Sequence, residues 1–179
     1  MGMAEILGEK NAMRILVFLL ENPTAQYSQK ELRVKIKISK ATMIKWLGLL
    51  IRKDMIRIKK IGVTNLHWLN RENIIVKQLK ILHNLLLLEK IRIISRKHEI
   101  TAYLYGSCAR GEDTEDSDID ILIIGNKRKE GIISDFSKIS SKIRRKINIS
   151  VFTSLDWSFV ARKDPAFYER VEKDKILLQ

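Results

Sequence analysis

Two aspartates, Asp118 and Asp120, lie two residues apart in Ser117-Asp118-Ile119-Asp120, directly ahead of the apolar run Ile121-Leu122-Ile123-Ile124. Residues i and i+2 of a strand project to the same side, so both carboxylates are expected on one face. A pair of hard oxygen ligands at that spacing suits Mg²⁺, an ion held by one or two carboxylates together with phosphate oxygens and water. Upstream, Gly106 and Ser107 follow a second apolar run, Ile100 to Tyr105. Glycine lets a backbone approach a phosphate closely, and Ser107 can donate its hydroxyl and amide at the start of a following helix, where the dipole favours anions. Arg110, one turn further, can pair with the same phosphates. A bare Asp-x-Asp reads as a solvated acidic turn, the more so with Glu112, Asp113, Glu115 and Asp116 just before it. A Gly-Ser turn at this distance, with a strand after it, outweighs that reading.

The elements that must hold these residues follow from the pattern around them. Ile100 to Tyr105 and Ile119 to Ile124 read as strands, Ile132 to Lys146 as a helix, "INISVFT" as a strand and Ser154 to Arg162 as a closing helix. The segment "YGSCARGEDTEDSDIDILIIG", Tyr105 to Gly125, resembles the active-site signature of the minimal nucleotidyltransferases of the polymerase-beta-like superfamily. The resemblance implies a mixed sheet backed by helices. It also implies transfer of a nucleoside monophosphate from a nucleoside triphosphate to an acceptor, with release of pyrophosphate. In that family a third carboxylate sits on the strand that here reads Ile147-Asn148-Ile149-Ser150-Val151. Strand alternation puts Asn148 and Ser150 on one face, so Asn148 is the occupant expected in the third catalytic place. An amide offers one carbonyl oxygen to a metal, but it takes no proton from an acceptor hydroxyl and brings no charge to a second metal. A slow enzyme and a nucleotide-binding remnant are both compatible with that change. Asp156 is the nearest other acid, and it is expected in the first turn of a helix.

Before residue 99 the pattern is different. Ile6, Met13, Leu16, Leu19 and Leu20 return at helical spacing between Glu5 and Glu21, and Asn22-Pro23 stops that helix. Ser28 followed by Glu31 is a capping box for a second helix to about Ile36, and Ser39 caps a third from Lys40 to Lys53. Met55 to Lys60 and Val63 to Leu69 read as a hairpin around Ile61-Gly62. The stretch Tyr27 to Ile58 resembles the winged helix-turn-helix domains of prokaryotic transcription regulators. In such a domain Ser39, Lys40, Thr42 and Lys45 face a major groove, and Arg57, Lys59 and Lys60 on the wing reach phosphates. Lys37 stands where the turn of these domains often carries glycine. Trp46 is expected to be core more than surface. Asn73 to Ser95 reads as one long connecting helix with apolar residues on two sides, Ile75, Leu79, Leu82 and Leu86 on one and Ile81, Leu85 and Leu88 on the other. Such a helix needs cover from more than one partner, including a second copy of the chain.

The charge agrees with this division. Residues 1–98 carry 20 Lys and Arg against 7 Asp and Glu, and residues 99–179 carry 14 of each, so the whole net charge of +13 lies in the first half. That half is the one expected to meet a polyanion such as duplex DNA. With 45% apolar and 31% charged residues and two prolines, the chain reads as soluble and globular. A cytoplasmic location is expected, because no export signal or membrane span is apparent and the lone Cys108 forms no internal disulfide. Cys108 is expected as a small packed residue, and His67, His83 and His98 as structural residues without metal-ligand spacing.

The expected fold class is therefore α+β: a winged helix-turn-helix domain over 1–71, a connecting helix over 72–97 and a small mixed-sheet nucleotidyltransferase domain over 98–179. End to end, the chain is similar to prokaryotic proteins that fuse a winged helix to a minimal nucleotidyltransferase domain. The residues leave the acceptor open; relatives of this type modify protein hydroxyls or act as antitoxins beside a helical toxin partner, so by that resemblance a protein acceptor or partner is expected. The competing reading is a DNA-binding regulator whose C-terminal domain senses a nucleotide without catalysis.

Overall fold

Ser28 accepts a hydrogen bond from the Glu31 amide at 3.2 Å, and the Glu31 carboxylate accepts one from the Ser28 amide at 2.7 Å. That reciprocal pair satisfies two of the amides every helix start leaves open. It opens α2, Gln29–Ile36, which follows α1, Lys10–Glu21, and the short β1, Tyr27–Ser28. Ser39 caps α3, Lys40–Arg52, by accepting from the Thr42 amide at 3.2 Å. Between α2 and α3, Lys37 takes the left-handed conformation at φ 57°, the backbone shape that glycine commonly supplies at such a turn. The structure described here is a computed structural model, which describes residues 8–125 and 129–178. Glu5 and Ile6, assigned from the sequence to the first helix, lie outside the described residues.

The chain divides into two compact units, Met1–Lys77 and Gln78–Gln179. In the first, Ile15, Leu16 and Leu19 of α1, Leu32 of α2 and Met43 and Leu50 of α3 have no exposed surface. Burying each such side chain stabilises the fold by ~1.5–3 kcal/mol. Trp46 is 7% exposed and belongs to this core. β2, Ile56–Ile61, and β3, Thr64–Leu69, form an antiparallel hairpin, and β1 joins β3 on its other side, giving the order β1-β3-β2. The hairpin closes with Ile61 opposite Thr64 around Gly62-Val63, one residue later than expected. Gly62 at φ 59° explains the shift, since a two-residue hairpin turn needs positive φ at its first central position.

The expected single helix over Asn73 to Ser95 is instead two: α4, Ile74–Leu87, and α5, Ile91–His98. Around Leu88-Glu89-Lys90 the backbone bonds shorten to the i→i+3 kind, with the Ile91 amide donating to the Leu88 carbonyl at 2.9 Å. Leu88 and Ile91, both essentially unexposed, enter one core through this tighter turn. The buried stripe of α4 also differs from the expected one. Val76, Lys80 and Asn84 are buried, while Ile75, Leu82 and Leu86 are about half exposed or more. A polar network described below holds Lys80 and Asn84 inside.

The second unit is built on a four-stranded mixed sheet in the order β6-β5-β4-β7, with β4 Thr101–Tyr105, β5 Ile119–Ile124, β6 Ile147–Phe152 and β7 Ile176–Leu177. β4 runs antiparallel to β5 and β7, and β5 runs parallel to β6. Between β5 and β6 lies α7, Lys129–Ile143, a crossover of the kind parallel strands need. On one face Ile119, Ile121 and Ile123 pack with Ile91 and Ile94 of α5 and Ile132 and Phe136 of α7. On the other, Leu122 packs with Trp157 of α8, Ser154–Lys163, and Val171 of α9, Pro165–Asp174. Among the described residues no helix is long and apolar enough to cross a membrane.

Candidate active site

Asp120 lies on β5 opposite Asn148 of β6, and Asp118 lies one residue before the strand begins. The Ile119 amide donates to the Lys146 carbonyl at 2.9 Å, which carries the ladder one step past its formal end. Asp118 and Lys146 therefore stand two positions before Asp120 and Asn148, on the same face, with the Ile119–Ile147 rung between the two pairs. The side chains meet accordingly: Asn148 Nδ2 donates to Asp118 Oδ2 at 3.1 Å and to Asp120 Oδ1 at 3.2 Å. The two carboxylates thus converge on one small region, as the spacing predicts. Lys146 Nζ donates to Asp118 Oδ2 at 2.9 Å. The Lys146 ammonium, and then the Asn148 amide, hold the Asp118 carboxyl below the usual carboxylate range.

The turn before the site is shaped for close approach. Gly106 sits at φ 74° and ψ −153°, a region reserved for glycine. A Cβ there would fall 2.8 Å from Asp120 Oδ2, so any side chain would fill the space beside that oxygen. The following helix, α6, is the single turn Ser107–Arg110, too short for the dipole the sequence reading assigned to it. Arg110 does not stand free. Its Nε donates to Glu112 at 2.7 Å and its Nη1 to Asp174 at 2.8 Å, so two of its three nitrogens are committed to the loop and to the end of α9. Asp156 lies in the first turn of α8, bonded to its cap Thr153, as expected.

Behind the turn lies a cluster that no sequence pattern announced. Asp113 is 1% exposed, and its Oδ2 meets Lys80 Nζ at 3.2 Å and Arg145 Nη1 at 2.9 Å, while Asn84 Nδ2 donates to its Oδ1 at 2.8 Å. Arg145 also donates to the Ser117 carbonyl from Nε at 3.2 Å and Nη2 at 2.8 Å, and Asn84 Nδ2 donates to the Cys108 carbonyl at 3.0 Å. These bonds tie both ends of the loop, the turn at Cys108 and the residue before Asp118, to one buried charge. Removing one member of a buried pair leaves the others uncompensated. Asp113→Asn is therefore expected to destabilise the chain by about 3–5 kcal/mol, read from urea unfolding. A loss under about 1 kcal/mol would show that the cluster is dispensable.

Cys108 is 1% exposed, and burial, with the nearby Asp113 carboxylate, pushes its thiol up to about 11. The native protein is therefore expected to resist a thiol reagent at pH 8 and to react once unfolded. Rapid labelling of the folded chain would contradict this packing. His98 pairs with Asp135 at 3.0 Å, and His67 is buried on β3. Among the described residues, no group of three or more His, Cys, Asp or Glu side chains is gathered as metal ligands. Asp118 and Asp120 remain a pair completed by an amide.

The family model described as Nucleotidyltransferase domain matches residues 87–178. The chain belongs to that family. The match spans the sheet, the Gly106 turn and the pair of aspartates. Membership points to transfer of a nucleoside monophosphate, with a nucleoside triphosphate as donor. No curated protein matches the chain. Of the residues expected around one region of this nucleotidyltransferase domain, Gly106, Ser107, Arg110, Asp118, Asp120 and Asn148, the structure joins Asp118 and Asp120 through Asn148 and sets Gly106 beside Asp120, while Arg110 is bonded to Glu112 and Asp174. Sequence reasoning missed Lys146, although Lys146 and Asn148 share the strand parity that picked out Asn148. It also missed Lys80 and Asn84, whose only signal was their i, i+4 spacing as polar residues in an apolar helix.

The residues singled out in the first unit lie on α3 and β2. Ser39, Lys40, Lys45, Arg57, Lys59 and Lys60 are exposed and Thr42 is half-buried. The Lys45 ammonium lies 4.4 Å from the centre of the Trp46 ring. Arg57 Nε donates to Asn70 at 2.9 Å. Arg57 and Lys59 share one face of β2 by alternation, and Lys60 projects to the other.

Proposed function

We propose that the second unit transfers a nucleoside monophosphate from a Mg²⁺-bound nucleoside triphosphate to an acceptor hydroxyl, and that the first unit is a winged helix-turn-helix that binds duplex DNA. The convergence of Asp118 and Asp120 beside a glycine-only turn carries the first half of this reading. Asp118 and Asp120 would hold Mg²⁺: their oxygens meet at a single donor, and the missing Cβ of Gly106 leaves room beside Asp120 Oδ2. When bound, the ion supplies positive charge to the phosphate oxygens as negative charge develops on them.

The turn at Gly106 and Ser107 holds the triphosphate tail, and Arg110 joins it through Nη2, the nitrogen left over from its two carboxylates. The acceptor oxygen forms a bond to the α-phosphorus as the bond to the α,β-bridging oxygen breaks, and pyrophosphate leaves with that electron pair. Asn148 orients the two carboxylates but takes no proton, so the acceptor's proton passes to water. Incubation with α-labelled nucleoside triphosphates, Mg²⁺ and candidate acceptors, protein hydroxyls first among them, tests the reading. Label that becomes covalently attached to an acceptor only with Mg²⁺ supports it. Complete absence of transfer, with the triphosphate still bound, supports the second reading favoured by Asn148: a nucleotide-sensing regulator, or an antitoxin that binds its partner without catalysis.

For the first unit, the support is three helices, the second and third capped by Ser28 and Ser39, followed directly by a hairpin, and the concentration of the net charge in residues 1–98. Ser39, Lys40, Thr42 and Lys45 face the groove, and Arg57, Lys59 and Lys60 serve the backbone. Lysines contribute mainly charge, so affinity for duplex is expected to fall steeply with salt. Neutralising one phosphate-contacting lysine, as in Lys59→Ala, reduces the slope of log K against log salt by about 0.9. An unchanged slope for Lys59→Ala would remove the wing from the interface. The exposed Ile75, Leu82 and Leu86 of α4 supply an apolar stripe that suits pairing with a second copy of the chain.

A further inference from the structure

We infer that this site takes one divalent cation, with the Lys146 ammonium standing in for a second. The inference rests on the reading of Asp118 and Asp120 as the metal-binding pair. Lys146, just before β6, and Asn148 within it face Asp118 and Asp120 across the ladder, and both donate to the same oxygen, Asp118 Oδ2, at 2.9 Å and 3.1 Å. One cationic and one neutral donor therefore lie where a further acid would be needed to hold another ion. Asp156, the nearest other acid along the chain from Asn148, accepts from the Thr153 hydroxyl at the start of α8.

The charges agree with that count. Two carboxylates and one ammonium leave one net negative charge, and a single divalent ion turns it to one positive charge, suited to an anionic triphosphate. A second ion would raise it to three positive charges with no additional carboxylate to share them. A second ion would be repelled by both the first ion and the Lys146 ammonium. Lys146 thus acts as a positioning residue: through Asp118 Oδ2 it fixes the outer oxygen of the pair and competes with any second cation for it. Its side chain is 71% exposed, so its ammonium is free to stay there or give way without unfolding the strand.

The test counts Mn²⁺, used in place of Mg²⁺, on the full chain. In crystals soaked with Mn²⁺ and α,β-methylene-ATP, anomalous scattering is expected to show one ion at Asp118 and Asp120. Two ions in the unaltered protein would overturn the inference while leaving the nucleotidyltransferase reading intact. No ion at all would overturn both. The role of Lys146 is read separately, by calorimetric titration with Mn²⁺ alone. In the Asn148→Asp background a second ion is expected to bind, at least tenfold more weakly with Lys146 present than in Asn148→Asp/Lys146→Met. Lys146→Arg should keep the second ion weak. Equal second-ion affinity with and without the ammonium would sink the stand-in role, and melting curves of each variant confirm that folded protein is compared. Should the Asn148→Asp chains fail to fold, the first ion is compared instead in the unaltered protein and Lys146→Met: tighter binding without the ammonium supports the competition, and unchanged binding overturns it.

Discussion

Asp118→Ala and Asp120→Ala are each expected to lower nucleotidyl transfer to below about a hundredth of the unaltered rate, with little loss of fold. Changes to groups that merely orient a metal ligand already cost about 10–100-fold, so loss of a ligand itself costs at least that much. Both side chains lie at the end of β5, outside the two cores that flank the sheet, and their removal opens no apolar cavity. The two variants should also lose Mn²⁺ binding together, because the carboxylates meet at one place and neither alone surrounds an ion. Rates measured with labelled triphosphate, alongside thermal melting, check this. Activity that survives either substitution would move the chemistry elsewhere on the chain.

The second large effect runs the other way. Asn148→Asp is expected to raise turnover by about 10²–10⁴-fold, the usual worth of a positioned general base. The new carboxylate would stand in the same rung as Asp120, and it could take the acceptor's proton, which Asn148 cannot. Its cost is electrostatic: three acids would share the space that two acids and an amide share now, so the variant is expected to be less stable without divalent metal and to recover stability with it. Single-turnover rates at saturating Mg²⁺ decide the point. An unchanged rate would show that departure of the acceptor's proton is not what limits this site.

The inertness expected of Cys108 and the cost expected for Asp113→Asn share one origin with these effects. The loop from Gly106 to Asp118 has no strand or long helix of its own to hold it. Its shape comes from a glycine conformation at Gly106 and from Lys80, Asn84 and Arg145, which hold Cys108 near one end, Asp113 in the middle and Ser117 at the other. A buried cluster of this kind gives little net stability, but it penalises every arrangement in which one of its members is left alone. That is a direct way to keep two like-charged carboxylates close together while no metal is bound.

What could be read from the residues in order was whatever short-range physics controls. Ser28 with Glu31, and Ser39, end a helix locally because a cap needs only the three residues after it. The strand parity of Asp118 and Asp120, and of Asn148, follows from a two-residue repeat. These rules gave the shared face of Asp118, Asp120 and Asn148 and the limits of α2 and α3 to within a residue or so. They were less reliable where the outcome depended on a partner far along the chain. The stripe of α4 that looked buried by hydrophobicity is partly exposed, because Asp113, 33 residues beyond Lys80, draws Lys80 and Asn84 inward. The apparent continuous helix bends at Leu88 so that Leu88 and Ile91 can reach the same core. Arg110 meets Asp174, 64 positions later, before any phosphate. Lys146 acquires its role only because β5 and β6 pair in the register that sets Asp120 against Asn148, and two positions earlier the same register brings an ammonium to Asp118. Periodicity reports which side of an element a residue occupies. Which charge waits on that side is decided by loop closure and strand pairing, energies that sum over the whole unit and leave no mark on any short stretch of sequence.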